Sequence, residues 1–114
     1  MGGATRSEIF FAFLLERQQR GQTVFPSAPL EEAFYRVYLK NPETMNIYGF
    51  NGNRYSLILQ QTIRMSHLTG RIRINPENGL AKIGCLDGIA EPKEEVRAVA
   101  KSICDYLEIN KTVI

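Results

Sequence analysis

Apolar side chains recur at helical spacing in three segments of the chain. This pattern predicts helices over residues 5–20, 29–41 and 92–107. Gly21 follows the first of these segments, where a left-handed helix end suits glycine. Pro42 ends the second segment, because proline pushes the residue before it out of the helical region.

Between the second and third predicted helices, apolar and polar residues alternate in the way that half-buried strands do. The alternation is longest over residues 54–64, and Asn51-Gly52-Asn53 just before it is a strong hairpin signal. The pattern predicts four strands, over residues 45–50, 54–64, 71–74 and 80–85. A short extended stretch is also expected at residues 22–25.

These elements predict a single α+β domain over residues 1–114, in the order α-α-β-β-β-β-α. The four strands would form an antiparallel meander with the helices packed on one face. A chain of 114 residues, 44% of them apolar, is long enough to bury one core without a staple. Cys85 and Cys104 both lie in apolar surroundings and are therefore expected to be small buried side chains.

Residues that could support catalysis or hold a metal are sparse. His67 is the only histidine, and its spacing from the two cysteines matches no familiar zinc pattern. The glycines form neither a phosphate-binding loop nor a dinucleotide fingerprint. We therefore expect no enzymatic activity, no metal and no cofactor.

The apolar run over residues 9–15 is too short to span a bilayer. Glu8 before it and Glu16 after it also break the signal-peptide pattern. The expected location is the cytoplasm, without membrane association.

Charge is segregated along the chain. Residues 1–45 carry five basic and five acidic side chains, residues 46–82 carry five and one, and residues 83–109 carry three and six. The basic block coincides with the predicted strands, so its cations should share the solvent face of the sheet. Tyr48 and Phe50 could lie on the same face and supply aromatic platforms. The candidate binding residues are thus Tyr48, Phe50, Arg54, Arg64, Arg71, Arg73 and Lys82.

The basic face has two interpretations. Guanidinium groups match phosphate or carboxylate oxygens, which favours a binding surface. Alternatively, the outer side of any half-buried sheet must be polar, and acids elsewhere in the chain, such as Glu94 or Asp105, could neutralise it. The net charge of +2 and the pI of about 8.6 do not by themselves indicate a nucleic-acid partner.

The first predicted helix has more apolar residues than one face can hold. Those in excess are candidates for an interface, most simply with a second copy of the chain: Phe10, Phe11, Phe13 and Leu14. The alternative is that the other helices flank this one and bury it.

The sequence favours a non-catalytic interaction module, such as an adaptor, an inhibitor or a subunit of an assembly. Its expected partner is a protein bound through the open sheet face or the first helix. The alternative is a nucleic-acid-binding protein that uses the basic sheet face.

Overall fold

Five α-helices and three short strands make up the part of the chain that the computed structural model describes, residues 5–50 and 53–113, with side chains as far as residue 108. The helices are α1 (Arg6–Gln19), α2 (Leu30–Lys40), α3 (Pro42–Met45), α4 (Leu57–Leu68) and α5 (Glu94–Val113). A 3-10 helix spans Asn46–Tyr48, and the strands are β1 (Val24–Pro26), β2 (Ile72–Ile74) and β3 (Leu80–Ile83).

The strands form one antiparallel sheet in the order β1-β3-β2. The predicted α+β class and antiparallel sheet are confirmed, but the four-stranded meander is wrong. Two of the predicted strands, over 45–50 and 54–64, are replaced by the 3-10 helix and α4, and β1 comes from the stretch at 22–25 instead. The predicted turn at Asn51-Gly52 lies outside the described residues.

The start of α4 explains why the second predicted strand is helical. The Ser56 hydroxyl accepts a hydrogen bond from the Leu59 N–H at 3.0 Å, which is the bond that a helix N-cap makes. The same hydroxyl donates to the Tyr48 carbonyl at 2.6 Å, and the Ser56 N–H donates to the Glu31 carboxylate at 2.8 Å. These bonds anchor the first turn of α4 to α2 and to the 3-10 helix.

The core is built around α1. Phe10 and Phe13 on this helix are fully buried, and the Phe13 ring meets the Phe25 ring of β1 edge-on at 5.2 Å. Phe10 contacts Phe34 of α2 with ring centroids 6.2 Å apart. On a third side, α1 packs along α5, where the Cys104 thiol lies 3.8 Å from the Phe13 carbonyl oxygen.

The two faces of the sheet differ in polarity. Ile72 and Ala81 face the core together with Phe25, while Arg73 and Lys82 face outward as a directly paired row. The side-chain alternation expected for β2 and β3 therefore describes these two strands correctly.

Side chains cover both edges of the sheet. The buried Arg17 guanidinium donates to the Gln22 carbonyl at 3.1 Å and to the Val24 carbonyl at 2.7 Å, along the outer edge of β1. Its cation also lies over the Phe25 ring, 5.3 Å from the centroid. At the other edge, His67 Nδ1 accepts a hydrogen bond from the Ile74 N–H at 3.2 Å. Burial lowers the pKa of Arg17, so it is an energetically demanding choice for this position.

Replacing Arg17 with Met should therefore lower the free energy of unfolding by about 2–3 kcal/mol, because the Val24 carbonyl loses a charged donor in a buried setting. Urea denaturation measures this loss. Arg36→Met is the matched control, since Arg36 makes an exposed i,i+4 ion pair with Glu32, whose loss should change the free energy of unfolding much less. Equal losses in the two variants would contradict the edge role of Arg17.

Candidate functional site

The outward face of the sheet is the candidate site. We call it the outer sheet face, formed by Val24, Pro26, Arg73, Leu80 and Lys82. Val24 and Leu80 are 46% and 38% exposed, so two large apolar side chains lie beside the cations. Lys82 pairs across the strands with both Val24 and Arg73, which places the apolar and basic groups in one row.

A groove borders this face where α4 ends. It has a volume of about 390 Å³, and His67 and Leu68 line it together with Arg73 and Lys82. Its described lining includes no carboxylate and no thiol. Because His67 Nδ1 already accepts the Ile74 N–H, that nitrogen is engaged in holding the edge of β2.

The cations of the outer sheet face are not neutralised by the C-terminal acids. Those acids bind Arg20 instead: its guanidinium lies 2.9 Å from Asp105 and also pairs with Glu108, while holding Glu16 at 2.8 Å. A hydrogen bond from the Gln22 side chain, together with Arg20, lowers the pKa of Glu108. Within the described part of the chain, Arg73 and Lys82 make no ion pair.

The prediction that five cations share the solvent face of the sheet is wrong, because only Arg73 and Lys82 lie on the outer sheet face. Arg54 precedes α4 and lies over the Tyr35 ring, 3.8 Å from the Glu32 carboxylate. Arg64 is an exposed residue of α4.

Arg71 lies before β2 and turns away from the outer sheet face. Its guanidinium donates to the carbonyls of Cys85 at 3.0 Å and Asp87 at 2.7 Å, and it lies over the Phe11 ring. These bonds hold the chain after β3 against α1. Arg71 therefore bonds within the chain, although the strand period of two predicts that its side chain lies beside Arg73.

Tyr48 and Phe50 are not exposed aromatic platforms. They are 1% and 0% exposed, and the Tyr48 hydroxyl donates to the Arg6 carbonyl at 2.6 Å. Burial raises the pKa of Tyr48. The expectation failed because the segment that carries both residues is not a strand, so strand alternation does not apply to it.

Of the two alternatives for the first helix, the structure shows the one in which other elements flank α1 and bury most of its apolar residues. Phe10, Phe13 and Leu14 are all 0% exposed, and Phe11 is partly covered by Arg71. Neighbours on several sides of α1 account for its apolar excess. Phe10, Phe13 and Leu14 therefore belong to the core, and Phe11 is the one of the four that stays partly exposed.

Sequence reasoning missed the apolar part of the site. Val24 lies in a strand of three residues, too short for an alternation signal, and Leu68 belongs to a helix that was read as a strand and a loop. The available signal for α4 was the spacing of Leu59, Thr62 and Ser66, which are its buried residues.

Comparisons of the chain with protein-family models, with curated proteins and with solved structures find no match. Over the described residues, no three His, Cys, Asp or Glu side chains converge as a metal site would require. No described helix combines the length and the apolar character needed to cross a membrane.

The two cysteines differ, although both were expected to be buried. Cys104 is buried and Cys85 is exposed, because the chain leaves β3 at Ile83. Burial raises the pKa of the Cys104 thiol to about 12, so at pH 8 it has almost no thiolate to react.

In the native protein, an aromatic disulfide reagent at pH 8 should modify Cys85 rapidly and Cys104 only after denaturant is added. Absorbance of the released thiolate measures both phases. Cys85→Ser should remove the fast phase alone. Rapid reaction of both thiols without denaturant would contradict the burial of Cys104.

Proposed function

We propose that this protein is a non-catalytic interaction module that binds a protein partner through the outer sheet face. The observation that carries the proposal is the row Val24, Lys82 and Arg73, in which an exposed aliphatic group adjoins two cations without acidic partners. Protein interfaces commonly combine an apolar centre with charged groups that set orientation and partner choice.

The groove at the end of α4 supports a non-catalytic role. A nucleophile or a general base needs a partner within hydrogen-bond reach, and the described lining offers His67 no carboxylate or thiol. The groove does extend the outer sheet face, because Arg73 and Lys82 belong to both. A partner side chain could therefore enter it beside the cations.

A nucleic-acid partner is the alternative, and the free Arg73 and Lys82 are the observation in its favour. Against it, Tyr48 and Phe50 are buried, so the stacking platforms that single-stranded binders use are missing from these positions. Arg54 and Arg71 are also engaged within the chain. Two cations give a small electrostatic footprint for a phosphate backbone.

The double variant Arg73→Glu with Lys82→Glu should lose capture of a specific protein from a lysate of the source cells. That protein is then purified, and its affinity for the double variant should fall at least about tenfold by titration calorimetry. Lys40→Glu with Lys101→Glu is the matched control, because it changes the net charge equally at exposed positions on α2 and α5.

Equal losses in the two double variants would sink the proposal, since general electrostatics would then explain them. A single-stranded oligouridylate titrated in parallel tests the alternative. Binding that weakens linearly in a log-log plot against salt, with a smaller slope in Arg73→Glu, would favour nucleic acid.

A further inference from the structure

Helix α4 exposes three large apolar side chains, while it buries Leu59 and packs Ile58 and Ile63 against the core. Leu57, Met65 and Leu68 are 60%, 56% and 68% exposed, whereas Thr62 and Ser66 are buried. The Thr62 and Ser66 hydroxyls each donate at 2.8 Å to the carbonyl four residues earlier, which satisfies them in the interior. Helix α4 therefore carries apolar residues on its outer side in addition to those on the side that faces the core.

The exposed residues lie along one side of the helix. We call Leu57, Met65 and Leu68 the α4 stripe; on a 3.6-residue helix, Leu68 lies about 20° around the axis from Leu57 and Met65 lies about 80° from it. The stripe is about 16 Å long, at a rise of about 1.5 Å per residue. Leu68 at its end also lines the groove beside the outer sheet face.

Cations lie beside the middle and the C-terminal end of the α4 stripe, whereas the Glu31 carboxylate lies at the start of the helix, where it accepts the Ser56 N–H. Residues 44–76 contain no Asp or Glu. Arg64 lies on the same side of α4, seven residues after Leu57 and four before Leu68, and makes no ion pair with any described residue. Beyond Leu68, the groove adds Arg73 and Lys82.

We infer that the α4 stripe binds an acidic amphipathic helix of a protein partner. This inference rests on the proposed function and names the class of partner. Leu57 and Leu68 lie about three turns apart on one side of α4, with Gln61 and Arg64 between them and Met65 beside them. Such spaced apolar contacts match a second helix whose own apolar residues recur every three to four positions. Glu or Asp beside that apolar side would meet Arg64 along α4, and Arg73 and Lys82 where the helix ends.

A second copy of this chain fits the stripe less well. Packing α4 against another α4 would bring Arg64 of each copy into one small interface without an acid from either helix, and like charges facing each other oppose association. An acidic partner instead neutralises the same groups. Charge complementarity thus selects the occupant.

The test uses a fluorescent synthetic helix of about 18 residues, about five turns, held helical by a hydrocarbon cross-link. Leucines form one side of it, glutamates flank them, and alanines fill the rest. Its fluorescence anisotropy should rise on titration with the full chain. A peptide with lysine in place of every glutamate should bind at least about tenfold more weakly.

The double variant Leu57→Ser with Leu68→Ser should weaken binding of the acidic peptide at least about tenfold, because it removes the apolar side chains at both ends of the α4 stripe. Leu39→Ser is the control, since Leu39 is a similarly exposed leucine, 51%, on α2. Arg64→Gln should weaken binding of the acidic peptide. The residual binding of the lysine peptide should stay the same or become stronger. Circular dichroism should be the same for all variants, as their positions are exposed.

Several results would overturn the inference. These are equal affinity for the two peptides, no binding of the acidic one, or binding that survives loss of the stripe. Self-association in sedimentation equilibrium that Leu68→Ser abolishes would make a second copy the occupant. Binding to phosphatidylserine vesicles in place of the peptide would indicate a membrane surface. If only the peptide assay fails, the outer sheet face and its captured partner are unaffected.

Discussion

Burial of α1 is the constraint on which the other elements depend. Phe10 meets Phe34 of α2, Phe13 meets Phe25 of β1, and the Cys104 thiol of α5 lies against the Phe13 carbonyl. The helix thus contacts α2, α4, α5 and the sheet, and an apolar helix placed this way needs no amphipathic side. Because α1 and its neighbours fill one side of the sheet, the opposite side is left to solvent or to a partner.

Charge distribution follows from the same arrangement. Arg17 and Arg20 near the end of α1 are directed inward to the edge of β1 and across to the acids of α5. Those acids are thereby engaged far from the outer sheet face. Arg73 and Lys82 make no ion pair with any described residue, and Asp105 and Glu108 of α5 pair instead with Arg20 at the end of α1. The positive charge that the sequence concentrates in residues 46–82 is exposed in the folded protein at Arg73 and Lys82 of the sheet and at Arg64 of α4.

The sequence predicted α1, α2 and α5 because each has strong helical spacing of large apolar residues. It predicted β2 and β3 because Ile72, Ile74, Ala81 and Ile83 alternate with polar neighbours. It failed at α4, where Thr62 and Ser66 interrupt the apolar residues of the buried side; their hydroxyls bond to the helix itself. Exposed Leu57 and Met65 obscured the period further. Neither of the strands predicted over residues 45–50 and 54–64 exists, so strand alternation placed Tyr48, Phe50, Arg54 and Arg64 wrongly.

Arg17 and His67 also restrict how a peptide could be recognised. An extended peptide can bind a protein by adding a strand to the sheet, but it needs free N–H and C=O groups along an edge strand. Here the Val24 carbonyl and the Ile74 N–H are engaged, and Pro26 has no N–H to offer. The same protection keeps edges from pairing between molecules, which is a common origin of fibrous aggregates. We therefore expect a partner bound at this sheet to contact its side chains, with specificity from shape and charge more than from main-chain pairing.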